Sequence, residues 1–273
     1  MHYLDVGEGP PVLMVHGNPT WSFYWRNLVK GLSADHRCIV PDHVGCGLSD
    51  KPPGFHRLED RIAHLSHLVE TLDLRDVTLV VHDWGGPIGL GMAVRHPERI
   101  RRLVLLNTAV FEGSLPLSIR MCRWPGVGPA LILGLNGFLR VALLRAVADR
   151  TRIGGPVARG YLTPHRSWAD REAILHFVQD IPLEQEHPTR QLFLDIDAGL
   201  TALEDCPVLL IWGEKDFCFT PEFRRGWEER LPRAEVHALA DVGHWVMEDA
   251  HERVVPLVRD FLARHPLPLE TAP

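Results

Sequence analysis

Several things are missing from this chain, and each absence removes a class of protein. There is no C-x-x-C pair; Cys38, Cys46, Cys122, Cys206 and Cys218 lie scattered over 273 residues. An odd, dispersed set in a chain this long reads as reduced thiols in a cytoplasmic setting, not as a disulfide framework. A basic excess is absent too. Lys+Arg 29 against Asp+Glu 35 gives a net charge of −6, so no nucleic-acid partner is expected. No uninterrupted apolar run of membrane-spanning length exists. The most apolar stretch, VGPALILGLNGFLRVALLRAV from Val127 to Val147, carries Arg140 and Arg145 within it. A spanning helix needs ~20 predominantly apolar residues, so this stretch reads as one buried or lid helix with no stable membrane span. Residues 1–9 (MHYLDVGEG) hold two acids and no lysine or arginine, unlike a targeting signal. Finally, no serine stands in G-x-S-x-G, which disfavours a serine esterase or lipase.

What remains is an ordinary globular composition, 45% hydrophobic and 23% charged. Short apolar runs recur, each ended by a turn signal: residues 10–17, 36–42, 76–86, 100–108, 206–216 and 234–245, with MHYLDVG opening the chain. Helix-like segments lie between several of them, at 58–74 and 221–231 for example. Buried strands alternating with helices predict a mostly parallel central sheet covered by helices on both faces. The rhythm breaks between Asn107 and Cys206, where helical stretches replace strands. An insertion of ~90 residues at one point of such a sheet predicts a helical cap over the strand ends. The expected division is a core of 1–110 and 201–273 with a cap of 111–200. No internal repeat is visible, and only the tail after Arg264 is proline-rich.

Ligands of open α/β sheets bind beyond the carboxyl ends of the strands, so the residues there carry the functional reading. The strand DVTLVV runs into His82-Asp83-Trp84-Gly85-Gly86 and then a helix. That is the context of a nucleophile elbow, with Asp83 at the nucleophile position and Gly85 permitting the tight turn. Asp83 as a plain helix N-cap would not need the Trp-Gly-Gly that follows. PPVLMV ends in His16-Gly17-Asn18-Pro19, where Asn18 can supply an oxyanion-hole N–H. Asp216 follows CPVLLIWGEK, and His244 follows the last strand. The order Asp83, Asp216, His244 is nucleophile, acid, histidine. His82 reads as a packing residue and Asp42 as a turn-former. His64 and His67 lack matching ligands, so no metal and no cofactor are expected.

A carboxylate is ionised at pH 7 and attacks without a base. On saturated carbon it forms an alkyl ester on the enzyme. Water activated by His244, itself oriented by Asp216, can then attack that ester. The backbone N–H groups of Asn18 and Trp84 would hold the oxyanion. Their side-chain N–H groups are two neutral donors, which suit a soft anion such as halide better than a carboxylate.

At these residues the sequence resembles the haloalkane dehalogenases of the α/β-hydrolase superfamily. HGNPTWSFYWRNL (16–28), PDHVGCGLSDKP (41–52), VVHDWGG (80–86), LNT (106–108), FVQDIPL (177–183), WGEKDF (212–217) and DVGHW (241–245) carry the resemblance, which extends over nearly the whole chain. It implies Asp83 as nucleophile, His244 as base, Asp216 as its partner, and Asn18 and Trp84 as halide donors. The first expectation is therefore hydrolytic cleavage of a carbon–halogen bond. The chain resembles the third subfamily, since members with the acid after the earlier strand would have Glu near position 107, where this chain has Asn. The resemblance implies an apolar small-molecule substrate. The β-lactone decarboxylases of long-chain olefin biosynthesis are similar as well, and give the second expectation. They share the Asp-His-Asp set and release carbon dioxide to leave a cis-alkene. Epoxide hydrolases share H-D-W-G but need two cap tyrosines, and only Tyr161 lies in this cap. These families usually carry a further strand before MHYLDVG. Its absence would expose a sheet edge and favour self-association.

Overall fold

The computed structural model describes residues 1–111 and 113–267. Its strands are β1 (Tyr3–Val6), β2 (Pro11–Val15), β3 (Arg37–Pro41), β4 (Val77–His82), β5 (Ile100–Leu106), β6 (Val208–Gly213) and β7 (Glu235–Leu239). They form one sheet in the order β1-β3-β2-β4-β5-β6-β7. β1 runs antiparallel to β3, from Tyr3 opposite Pro41 to Val6 opposite Cys38. Every other neighbouring pair is parallel.

The period of two in the central strands divides the core between the two faces. Val12 and Met14 of β2 pack with Leu28 and Val258; Leu13 and Val15 pack with Ile62 and Ile88. Leu28 lies in α1 (Arg26–Leu32), Ile62 in α2 (Leu58–Thr71) and Ile88 in α3 (Gly85–Arg95). β4 and β6 are buried along their whole length, which explains why they read as continuous apolar runs. A slip of one residue would exchange the two cores, so burial fixes the register. β1 is mostly exposed at the edge of the sheet, where Asp5 pairs with Arg37 at 2.6 Å.

Between β5 and β6 the described residues contain helices and no strand. These are α4 (Leu117–Met121), α5 (Val127–Pro129), α6 (Gly137–Arg145), α7 (Gly155–Leu162), α8 (Glu172–Gln179) and α9 (Arg190–Gly199). α10 (Pro221–Arg230) and α11 (Val246–Arg264) follow, and Val258 belongs to α11. The expected single helix over 127–147 is corrected here. The segments Val127–Gly134 and Gly137–Arg145 meet at 75°. Asn136 adopts φ 52° between Gly134 and Gly137, a left-handed conformation that Asn tolerates and a helix does not. No single helix among the described residues is long and apolar enough to cross a membrane. All five cysteines are free thiols. Of the proline-rich tail, residues 268–273 lie outside the described residues.

Candidate functional site

Asp83 stands at the turn between β4 and α3 with φ 53°. The turn is closed by Gly86 N–H donating to the Asp83 carbonyl at 2.9 Å and by the Thr108 hydroxyl donating to the same oxygen at 2.5 Å. The left-handed residue is thus Asp83 itself. Gly85 serves a different purpose from the one expected: a Cβ there would collide with the carbonyl of Val15. Gly17 is constrained in the same way, because a Cβ would overlap the Asp83 carboxylate. That contact lets the β2 loop close on the carboxylate, and Asn18 N–H donates to Asp83 Oδ1 at 2.6 Å.

The loop after β7 brings His244 to the same place. Its Nδ1 lies 2.7 Å from Asp216 Oδ2, and its Nε2 lies 3.6 Å from Asp83 Oδ2. All three side chains are buried. Asp216 is held in turn by Cys218 N–H at 2.6 Å on Oδ1 and by the Asn107 amide at 2.8 Å on Oδ2. His82 donates from Nε2 to the His244 carbonyl at 2.8 Å and stacks on Tyr24, which matches its expected packing role. Burial, with His244 nearby, keeps His82 uncharged by holding its pKa well below the usual 6.5. Asp42 is a buried turn-former, accepting Ser22 N–H at 2.7 Å and Leu48 N–H at 2.9 Å.

Burial raises the pKa of Asp83 above the ordinary 3.8, against the pull of His244 and of the N–H groups of Trp84 and Asn18. Burial acts on His244 in the opposite sense, but the charges of Asp216 and Asp83 and the hydrogen bond from Asp216 override it. The imidazole pKa lies above 6.5. The imidazole Nε2 thus faces the Asp83 carboxyl group at 3.6 Å, with no arginine or lysine paired to Asp83 among the described residues.

Asp83 and His244 sit at the inner wall of a cavity of about 920 Å³. Ile119, Leu131, Phe138, Val178, Phe193 and Phe217 supply much of its apolar lining. Asn18 and Trp84 line it as well. One N–H of the Asn18 amide is given to the Ile174 carbonyl at 3.3 Å, which tethers the side chain to α8. The Trp84 indole packs between Phe177 and Phe193, and its N–H has no hydrogen-bond partner among the described residues. Tyr161 does not line the cavity. Its hydroxyl donates to Glu248, which also forms a two-point pair with Arg26 at 2.6 and 2.7 Å. A tyrosine pair poised over Asp83, as epoxide opening would need, is absent among the described residues.

Two supporting residues carry little signal in the sequence. Asn107 stands out there only as a place where another residue would be expected; its amide also bonds both backbone groups of Gly213. Asp249 has no signal beyond being an acid early in a helix. Its carboxylate accepts N–H groups from Gly243 (2.8 Å), Ala148 (2.7 Å) and Asp149 (3.1 Å), and so ties the His244 loop to the chain after α6.

Comparison with known proteins places the fold in a family. Residues 10–130 match the family model described as alpha/beta hydrolase fold. The chain is 46% identical to the cis-3-alkyl-4-alkyloxetan-2-one decarboxylase of Shewanella oneidensis over 96% of this chain and 85% of that protein. It is 32% identical to haloalkane dehalogenase 2 of Mycobacterium bovis over 94% of this chain and 90% of that protein. Among solved structures, a haloalkane dehalogenase from Agrobacterium tumefaciens superposes with a TM-score of 0.88 at 28% identity, over 97% of this chain and 93% of that one. The chain therefore belongs to the α/β-hydrolase family of enzymes, in the branch that holds the β-lactone decarboxylases and the haloalkane dehalogenases.

Proposed function

We propose that this protein is a β-lactone decarboxylase, opening cis-3-alkyl-4-alkyloxetan-2-ones to carbon dioxide and a cis-alkene. The order of the two expectations drawn from the sequence is thereby reversed. The observation that carries the reading is a buried Asp83 carboxylate, paired at 3.6 Å with an imidazole whose pKa is raised, facing an apolar cavity and free of any arginine or lysine partner among the described residues. The 46% relative supports the same order of preference.

In the first step Asp83 attacks the ring carbon that bears the lactone oxygen. The carbon–oxygen bond of the ring breaks with inversion, leaving an alkyl ester on Asp83 and a free carboxylate on the neighbouring carbon. Asn18 and Trp84 offer that carboxylate neutral donors. In the second step the carboxylate leaves as carbon dioxide, its bonding pair forms the alkene, and Asp83 departs as a carboxylate. Inversion followed by anti elimination converts a cis lactone into a cis-alkene. The electrons move from the substrate carboxylate to Asp83. A cation beside Asp83, with neutral donors from Asn18 and Trp84 offered to the substrate carboxylate, favours that direction. Imidazolium at His244 fills this role, and Asp216 and Asn107 keep it in place. No water is consumed. Residues 111–200 act as a cap that excludes water, over a core of 1–110 and 201–273.

Carbon–halogen hydrolysis is the second reading, favoured by the two neutral donors and by the relatives at 32% identity. It uses the same attack but needs neutral His244 as a base for water. The deciding experiment offers a long-chain cis-β-lactone and 1-bromohexane in parallel and follows alkene, carbon dioxide and bromide. Rapid alkene release with little bromide is expected. Bromide release without alkene would overturn the decarboxylase reading.

A further inference from the structure

We propose that residues 117–168 form a docking surface for an anionic phospholipid bilayer, with the mouth of the cavity facing the lipid. The first observation is charge. This segment holds eight arginines, no lysine and one acid, Asp149, for a net charge of +7 in a chain whose total is −6. The rest of the molecule therefore carries −13, an asymmetry that orients the protein in an electric field. Two of the arginines, Arg123 and Arg152, pair with Glu184 and Glu252. Arg120, Arg140 and Arg150 are exposed and have no carboxylate partner among the described residues.

The second observation is apolar exposure on the same segment. Leu117, Trp124, Leu144 and Trp168 stand 66%, 52%, 57% and 54% exposed. α6 buries Leu139 and Leu143 and leaves Arg140, Val141, Leu144 and Arg145 exposed, with the Arg145 guanidinium 5.5 Å from the Phe217 ring. Leucines flanked by arginines, with exposed indoles beside them, are the pattern of an element lying in the lipid interface: phosphates meet the guanidinium groups and the apolar tips enter the acyl boundary.

The third observation fixes the orientation. Met121, Val141, Leu183 and Leu194 both line the cavity and stand exposed, so they form its mouth. Arg120 and Arg140 directly precede the rim residues Met121 and Val141 in the chain. An apolar substrate dissolved in the bilayer reaches the cavity from this side without crossing water.

Flotation of the full chain with vesicles tests this, using equimolar phosphatidylglycerol and phosphatidylcholine against phosphatidylcholine alone. Binding is expected on the anionic vesicles only, with loss in high salt. Each surface arginine contributes about fivefold, so Arg120→Gln with Arg140→Gln weakens binding about thirtyfold. Neither residue lines the cavity. Leu117→Ser with Leu144→Ser is expected to weaken binding as well, and reads the same surface should the arginine variant fail to fold by circular dichroism. A chain left behind by anionic vesicles, or binding indifferent to both variants, overturns the proposal. So does a dimer in sedimentation velocity that these substitutions disperse, with no vesicle binding, since that assigns the surface to a second copy.

Discussion

Replacing Asp216 with Asn isolates the charge that sets the protonation of His244. The carboxylate lies 2.7 Å from Nδ1 and is buried, so it acts through protein and not through solvent. Removing an opposite charge at such a distance lowers a histidine pKa by about 1–3 pH units, equivalent to about 1.4–4 kcal/mol. The folded imidazole starts above 6.5, so its protonated form is present below that raised value and is lost as pH rises through it. If imidazolium assists the departure of Asp83, alkene release falls as pH rises through the His244 pKa. In Asp216→Asn that fall begins about 1–3 pH units lower. At any pH above both limbs the variant is slower by about 10- to 1000-fold, while on the acid plateau the two differ far less. The assay is a pH–rate profile of alkene release by gas chromatography, with lactone saturating. A limb that stays in place, or a loss of equal size at every pH, would refute the reasoning. Hydrolysis of a haloalkane predicts the opposite slope, because neutral His244 is then the active form.

Asp83→Asn should abolish turnover and leave the fold intact, since Asn also accepts the φ of 53° at the elbow. Burial raises the folded pKa of Asp83, so the folded state binds this proton more tightly than the unfolded chain. Its ionised form therefore costs stability once pH exceeds the ordinary 3.8, and the Asn variant should melt at the same or a higher temperature at neutral pH; a clear fall in Tm would contradict this. Tyr161→Phe leaves buried Glu248 short of a donor, costing about 1–3 kcal/mol and lowering Tm by about 2–4 °C for each kcal/mol, without changing turnover. A selective loss of activity in that variant would return the tyrosine to the site chemistry.

Short-range physics makes much of this legible in the residues alone. β2, β4 and β6 stand out because a strand buried on both faces is mostly apolar, with Thr78 and His82 the polar exceptions in β4. Asp83 is conspicuous because its turn combines a buried strand, two glycines and a helix within a few residues. Asp216 and His244 are marked by their place after a strand and by their order along the chain. Asn18 and Trp84 are neighbours of the same strand ends, and both stand on the cavity wall. The choice between lactone and haloalkane is not legible there, because the first bond-forming step asks for the same groups in both.

Which segments enter the sheet, and which side chains stand at its carboxyl edge, the sequence by itself determined, since periodicity and turn chemistry act over a handful of residues. Tertiary packing alone decided the rest. Asn107 reaches Asp216 across 109 residues, and Asp249 accepts N–H groups from two loops about a hundred residues apart in the chain. It also turned Tyr161 away to Glu248 and bent the apolar stretch at Asn136. Such partnerships depend on which buried donors are left to satisfy once the layers have closed, and no local pattern carries that information.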